Sequence, residues 1–322
     1  MKNYLQLTLT GKKLFPIWIA FLVLFLAPYP FMISKLKGFQ TAAGDETEKF
    51  YALVFYYLYL LPVVIVFFCF IFYAIKLIIN NTEYKDEFLK FEGSIKDFLI
   101  TITGNFLLTV ITFGIYTPWF TKKLYDYFAS NTSYKSQRFR FKGHGTDLFM
   151  IYLFWIAIPF LILLFFLIFA IAVSQLAGNP ESTIVLMISS IIVPASNILL
   201  IPFTYYSYKW IVNFQYKDYN IHWETHFWNS IAYLLGQVLL TLITFGIYFP
   251  VAYLRIYRYF VHLTVALSEN NRKTFGYDLE PKRDFLFIWK QTLLIAITLG
   301  VYFPWAVSNV SVHIIGKTYI EE

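Results

Sequence analysis

Residues 107–119 read LLTVITFGIYTPW, residues 239–251 read LLTLITFGIYFPV, and residues 293–305 read LLIAITLGVYFPW. The first two agree at ten of thirteen positions, 132 residues apart. Each copy is an apolar run interrupted by a glycine (Gly114, Gly246, Gly300) and, four residues on, by a proline (Pro118, Pro250, Pro304). Glycine frees the backbone and proline removes a donor, so the pattern predicts a helix broken at one place, three times over.

Working outward, the spacing of 132 persists without a gap. Pro62 maps to Pro194, Tyr84-Lys85-Asp86 to Tyr216-Lys217-Asp218, Glu92 to Glu224, and Tyr127-Phe128 to Tyr259-Phe260. Such self-similarity marks a tandem duplication with a third, partial copy of the last motif. The expected units are residues 1–140, 141–275 and 276–322.

The composition sets the solvent. Of 322 residues 58% are hydrophobic and 14% charged, with 36 Phe, 26 Tyr and 8 Trp. A soluble domain carries about a quarter charged residues, so this chain is read as an integral membrane protein. The same composition excludes disorder, and the single cysteine, Cys69, excludes a disulfide scaffold. The net charge of +7 then belongs to cytoplasmic loops facing anionic lipid rather than to a nucleic-acid surface.

Four segments reach the roughly 20 apolar residues a span needs: Leu14–Ser34, Tyr51–Ile79, Leu148–Val173 and Thr183–Tyr208. The first has no small-x-small cleavage site and is read as a retained span. Three shorter segments, Phe98–Trp119, Trp228–Val251 and Phe285–Trp305, carry the glycine motif. If these cross the membrane, the copies are inverted and the basic residues divide almost evenly between the faces. If they dip in and return, only Lys35, Lys37 and Lys49 of the 26 Lys+Arg lie outside. The positive-inside rule selects the second arrangement, with both termini cytoplasmic. Irregular backbone at membrane depth also demands shelter by protein or a wet cavity. The expected fold class is an all-α polytopic membrane protein. It is a parallel repeat of two full spans plus a re-entrant helix, decorated by short cytoplasmic strands at Leu5–Leu9, Arg138–Lys142, Tyr219–Glu224 and Val312–Ile315. Pro118–Ser130 reads as an interfacial amphipathic helix.

The run Phe91-x-Gly93, LLTVITFGIYTPW, Tyr127-Phe128, Asn131-Thr132 and Phe139-x-Phe141-x-Gly143 resembles the YjgN-like bacterial inner-membrane proteins, a domain of unknown function. The resemblance is close over residues 91–149. It is weaker over 222–305, where Val251 stands in place of Trp and no Asn-Thr pair follows Tyr259-Phe260. It implies a multi-pass inner-membrane location and brings no activity, substrate or catalytic residue.

Stacking the copies aligns Asn105, Gln237 and Gln291, then Thr112, Thr244 and Thr298, then Tyr116, Tyr248 and Tyr302. Polar groups in an apolar segment need partners. Two readings stand: the set converges into a polar vestibule, or it satisfies backbone groups freed at the glycine. Lys122, Lys123, Arg255 and Arg258 follow the prolines and suit lipid phosphates. His222 and His226 lack a third ligand, and Asp97, Asp147 and Asp284 suit helix N-termini. There is no nucleophile–base pair, phosphate loop or intramembrane acid, so neither an enzyme, a metal nor a cofactor is expected. The expected role is a conduit for a small polar solute or ion, or alternatively a non-catalytic scaffold in a membrane complex. The expected partners are membrane lipids, with a membrane-protein partner or a second copy for the scaffold.

Overall fold

The computed structural model describes residues 1–26, 46–176 and 200–322. In chain order, strands β1 (Lys2–Tyr4) and β2 (Gln6–Leu7) precede helices α1 (Gly11–Leu26) and α2 (Glu46–Asn80). Strands β3 (Thr82–Tyr84), β4 (Glu87–Phe88) and β5 (Lys90–Phe91) lead to α3 (Ile95–Ile111) and α4 (Thr117–Ser130). Next come β6 (Thr132–Tyr134), β7 (Gln137–Phe141), α5 (Gly145–Tyr152) and α6 (Ile158–Leu176), the two helices joined through a π-helical turn. Helix α7 (200–211) feeds β8 (Phe214–Tyr216) and β9 (Tyr219–Trp223), then α8 (Phe227–Ile243) and α9 (Phe249–His262). Strands β10 (Thr264–Ser268) and β11 (Asn271–Tyr277), α10 (Pro281–Ile297), α11 (Phe303–Gly316) and β12 (Thr318–Glu321) complete the chain.

The all-α expectation is overturned. Nine strands form one antiparallel sheet in the order β1-β12-β11-β10-β9-β8-β7-β6-β5, and β2-β3-β4 form a second. The two sheets are parts of one ring. β1 and β2 are successive segments of a single strand, with Leu5 N–H bonded to the Thr318 carbonyl (2.9 Å) on one side and Thr8 N–H to that of Asn81 (3.1 Å) on the other. β4 and β5 are likewise continuous, Leu89 bonding Thr82 (2.9 Å) and Glu92 bonding Asn131 (2.9 Å). Strand pairing therefore returns to its start, and no edge is left open. Closure is one way a sheet disposes of its unpaired backbone groups.

Five β-pairs make up this ring: 82–91, 132–141, 214–223, 264–277, and β12 with β1. Three of them turn through left-handed residues at Lys85-Asp86, Lys135-Ser136 and Lys217, the geometry that matches strand twist in a tight hairpin. The fifth has no turn because the chain ends meet there, the Met1 amine donating to the Glu322 carbonyl at 3.2 Å. The period-2 pleat sends one set of side chains inward. Leu7, Phe91, Phe141, Trp223 and Tyr277 lie where strands pass into the following helices, and all five are buried. The preceding junctions are also alike. Thr82, Thr132, Thr264 and Thr318 each donate a hydroxyl to the carbonyl four residues back, at 2.7, 2.7, 2.9 and 2.8 Å, consuming a carbonyl orphaned at the helix end.

Between β-pairs the chain leaves the ring as one helix and returns as another. Three of these excursions are short hairpins: α3–α4, α8–α9 and α10–α11. Their neighbours hold them laterally. Trp18 of α1 stacks on Phe303 (4.3 Å between centroids) and donates its indole N–H to the Gly300 carbonyl at 2.9 Å. Trp289 donates likewise to Ile247 at 3.1 Å. Gly11 sits so close to Trp305 that an added Cβ would lie 2.6 Å from its Cα.

Four full spans were expected. Among the described residues two stretches are long and apolar enough to cross a membrane, Pro62–Asn80 and Gly145–Val173. The expected spans at 14–34 and 183–208 run partly outside the described residues. The segment Val312–Ile315 is helix rather than strand, because it is the last turn of α11, with Ile314 buried against Leu254 and Tyr277.

Ring closure predicts that the termini are exchangeable with any turn. A circular permutant joining Glu322 to Met1 by a short glycine linker, reopened between Lys217 and Asp218, should keep the thermal stability of the parent in detergent to within a few degrees. Loss of a cooperative transition would contradict closure.

Candidate functional site

The nine aligned polar residues fall into three sets, each closed within its own hairpin. Tyr116 donates its hydroxyl to Asn105 Oδ1 at 3.0 Å, Tyr248 to Gln237 Oε1 at 3.0 Å, and Tyr302 to Gln291 Oε1 at 3.1 Å. Each bond clasps the outgoing helix to the returning one. The threonines bridge the break itself. Thr112 donates to the Leu108 carbonyl (2.7 Å) and accepts the Tyr116 N–H (3.1 Å). Thr244 and Thr298 repeat this with Leu240 and Tyr248, and with Leu294 and Tyr302, all between 2.7 and 3.1 Å. No hydrogen bond links one set to another among the described residues. In the third hairpin Asn309 adds a donor to both Gln291 Oε1 (3.3 Å) and Tyr302 (3.2 Å).

The glycine break is a helix C-terminal motif. Gly114 N–H bonds to the Thr109 carbonyl at 2.8 Å, and Gly246 and Gly300 repeat it with Thr241 and Ile295, the six-to-one bond that closes a helix end. The residue ahead of each glycine is also left-handed: Phe113 (φ 50°), Phe245 (φ 49°) and Leu299 (φ 49°). A bulky side chain there costs about 1–2 kcal/mol. These three side chains are also 97%, 95% and 87% exposed, and they touch almost nothing that would offset the strain. Pro118, Pro250 and Pro304 have a different role from the glycines. Each occupies the first turn of the returning helix, where its missing donor has no partner to lose.

The basic residues lie along the returning helices. Lys122 pairs with Asp126 on its own helix, Arg255 sits 5.7 Å from the Tyr248 ring, and Lys123 and Arg258 are exposed. From Lys123 to the tip is about 10–15 Å of helix and turn, about a third to a half of the ~30 Å thickness of a bilayer's hydrocarbon layer.

Two further clusters were not legible in the sequence. At the base of the third hairpin Asp284 is fully buried and accepts from Lys317 Nζ (2.6 Å), His313 Nε2 (2.7 Å) and the Glu280 amide (2.9 Å). Burial alone would raise its pKa. The bonds from Lys317, the Glu280 amide and His313 outweigh burial and hold the carboxyl below the ordinary aspartate value. Asp97, by contrast, sits in a plain N-terminal cap with Ser94. At the far end of the ring, Tyr134 donates to the Tyr84 carbonyl (3.0 Å) and Tyr216 to that of Tyr134 (2.9 Å). Beside them Glu322 takes Lys273 and Lys85, whose hydrogen bonds hold its carboxyl at about 2. Burial, with Glu322 nearby, pushes the Tyr84 phenol up to about 12. His222 pairs with Glu224 at 3.5 Å, and no cluster fit to hold a metal occurs among the described residues.

Comparison with known proteins places these features in a family. The profile of a bacterial protein family of unknown function, DUF898, matches residues 10–277, and the chain belongs to it. The inner membrane protein YjgN of Escherichia coli K12 is 32% identical over 87 residues, which is 27% of this chain and 22% of that protein. YjgN of Salmonella typhimurium LT2 is 31% identical over 104 residues, 32% of this chain and 24% of the relative. The matched stretches thus span about a quarter of these curated relatives. No solved structure matches. The YjgN-like resemblance is thereby confirmed as one of family.

The clasp predicts a specific pattern of stabilities. Asn105→Leu leaves the Tyr116 hydroxyl unpaired in an apolar setting and should cost about 1–3 kcal/mol of unfolding free energy. The double variant Asn105→Leu, Tyr116→Phe should recover most of that loss, measured by thermal unfolding in detergent. Equal loss in both variants would show that Asn105 serves something other than its own hairpin.

Proposed function

We propose that this chain is lodged in the bacterial inner membrane, as its YjgN relatives are named, and acts there as a non-catalytic scaffold. The helices leave the ring toward the hydrocarbon, and the ring stands at the cytoplasmic face with both termini on it. The observation that carries this reading is the trio of hairpin tips. Three times the fold places a strained, fully exposed Phe or Leu at the end farthest from the ring. In water such a residue loses twice, once by strain and once by exposure. In hydrocarbon the exposure becomes favourable, worth about 2 kcal/mol for each side chain. A hairpin that descends, turns and returns keeps both basic helices on the ring side, in keeping with the positive-inside rule.

The amides, threonines and tyrosines that suggested a conduit are each spent on closing their own hairpin. What the ring offers to a partner is its outer face, studded with pairs such as Arg138–Glu92 (2.7 Å) and Arg272–Glu224 (2.7 Å). Strand addition is not the mode, because the ring has no free edge. The lipid-phosphate role of Lys123 and Arg258 fits their exposed positions between tip and ring.

Single cysteines in a Cys69→Ala background test the arrangement. At positions 123, 135, 217 and 255 they should react with a membrane-impermeant maleimide from the cytoplasmic side alone. At 113 and 245 they should resist it from both sides. Labelling of 123 and 255 from opposite faces, or of either tip from the periplasm, would overturn the arrangement. Solute or ion flux in reconstituted vesicles, abolished by Asn105, Gln237 and Gln291→Leu, would replace the scaffold with a conduit.

A further inference from the structure

Where α2 and α4 meet the inner wall of the ring there is a cavity of about 550 Å³. One wall is a single face of α2, Phe68, Ile71, Ile75 and Ile79, at helical spacing. The floor is Leu89, Phe139 and Ile221, inward-facing residues of three different β-pairs. Only Tyr125 and Thr132 among its lining residues carry a polar side-chain atom. The Thr132 hydroxyl is already committed to the Phe128 carbonyl at 2.7 Å.

Three occupants compete for this space. Protein does not fill it. Water is a poor candidate, because an ordered water molecule needs two to four polar partners and this lining offers almost none. An apolar ligand remains, and about 550 Å³ lies within the 300–1,000 Å³ range of small-molecule pockets. The direction of entry follows from the walls. Below the floor, the tyrosine layer and the Lys85–Glu322–Lys273 cluster lie between the cavity and the ring's outer mouth. The opposite wall belongs to α2, whose Pro62–Asn80 stretch is long enough to cross the bilayer and is largely unburied by protein. The nearest source of apolar chains is therefore the membrane itself.

We propose that this cavity is a lipid site, holding one acyl chain of a membrane phospholipid that enters past α2. Its headgroup stays outside the cavity, and the lining recognises hydrocarbon rather than any polar feature. The site makes the lipid a fixed part of the fold, joining a membrane span to the ring.

The test is native mass spectrometry of the full chain released from its own membrane in a mild detergent, before and after exchange into a delipidating one. Wild-type protein should retain one phospholipid after the exchange. Ile75→Trp, which fills the space from α2, should lose it while unfolding at an unchanged or higher temperature. Adding phospholipid back to delipidated protein should raise the unfolding temperature of the wild type and leave Ile75→Trp unmoved. Equal retention by both proteins would show surface-bound lipid only and overturn the site. So would no retained mass, or a retained mass that is not a phospholipid. If Ile75→Trp fails to fold, Leu124→Phe fills the same space from α4 and carries the same expectations. These outcomes do not depend on whether the chain is a scaffold.

Discussion

Closure of the backbone hydrogen-bonding ring is the constraint on which the rest depends. A strand of two to seven residues has little stability alone, and a sheet with open edges would expose unpaired donors and acceptors. Joining Leu5 to Thr318 and Leu89 to Thr82 removes both edges at once. Once the ring is closed, each β-pair must be linked to the next by a chain that leaves and returns on the same side. Helical hairpins provide that link, and their lengths then decide how deeply each excursion reaches. Outgoing helices of 17 residues, each followed by a left-handed turn, produce three excursions that reverse. The longer α2 and α5–α6 stretches are long and apolar enough to cross.

The short hairpins show how polar residues in an apolar helix can close the helix reversal itself. Reversing a helix frees carbonyls at one end and amides at the next. Threonine serves both, donating to the carbonyl four residues back and accepting the amide four residues on. The tyrosine–amide bond then fixes the two helices side by side. The strained Phe or Leu at the tip is the one part of the motif that the hairpin does not need, and its repetition three times points outward, to the surrounding solvent.

The broken-helix motif was legible because its three copies keep both residue type and spacing. The ring was not. Alternation marks pieces of it, at Leu5–Leu9, Arg138–Lys142 and Tyr219–Glu224, but many of its other strands are only two or three residues long. Its fifth pair is divided between the two ends of the chain, so no window of sequence contains it. A trace was nonetheless present. Thr82 and Thr132, Phe91 and Phe141, and Gly93 and Gly143 are all fifty residues apart, a spacing that the dominant repeat conceals. The all-α reading fails because alternating stretches such as Arg138–Lys142 are not decoration of a helical bundle but strands of the ring from which the helices spring. Alignment shows equivalence between copies, whereas convergence in space requires a fold. The Asp284–His313–Lys317 cluster joins residues 29 and 33 positions apart, on α10 and at the end of α11, and no local pattern announces it.

Backbone hydrogen exchange of the protein in detergent tests ring closure most directly. The amides of Leu5, Thr8, Leu89 and Glu92 make the joints between the two sheets. With a closed ring they exchange as slowly as those within β9 and β10. Exchange at these four positions as fast as in an exposed turn, with β9 and β10 still protected, would show an open sheet and contradict the account.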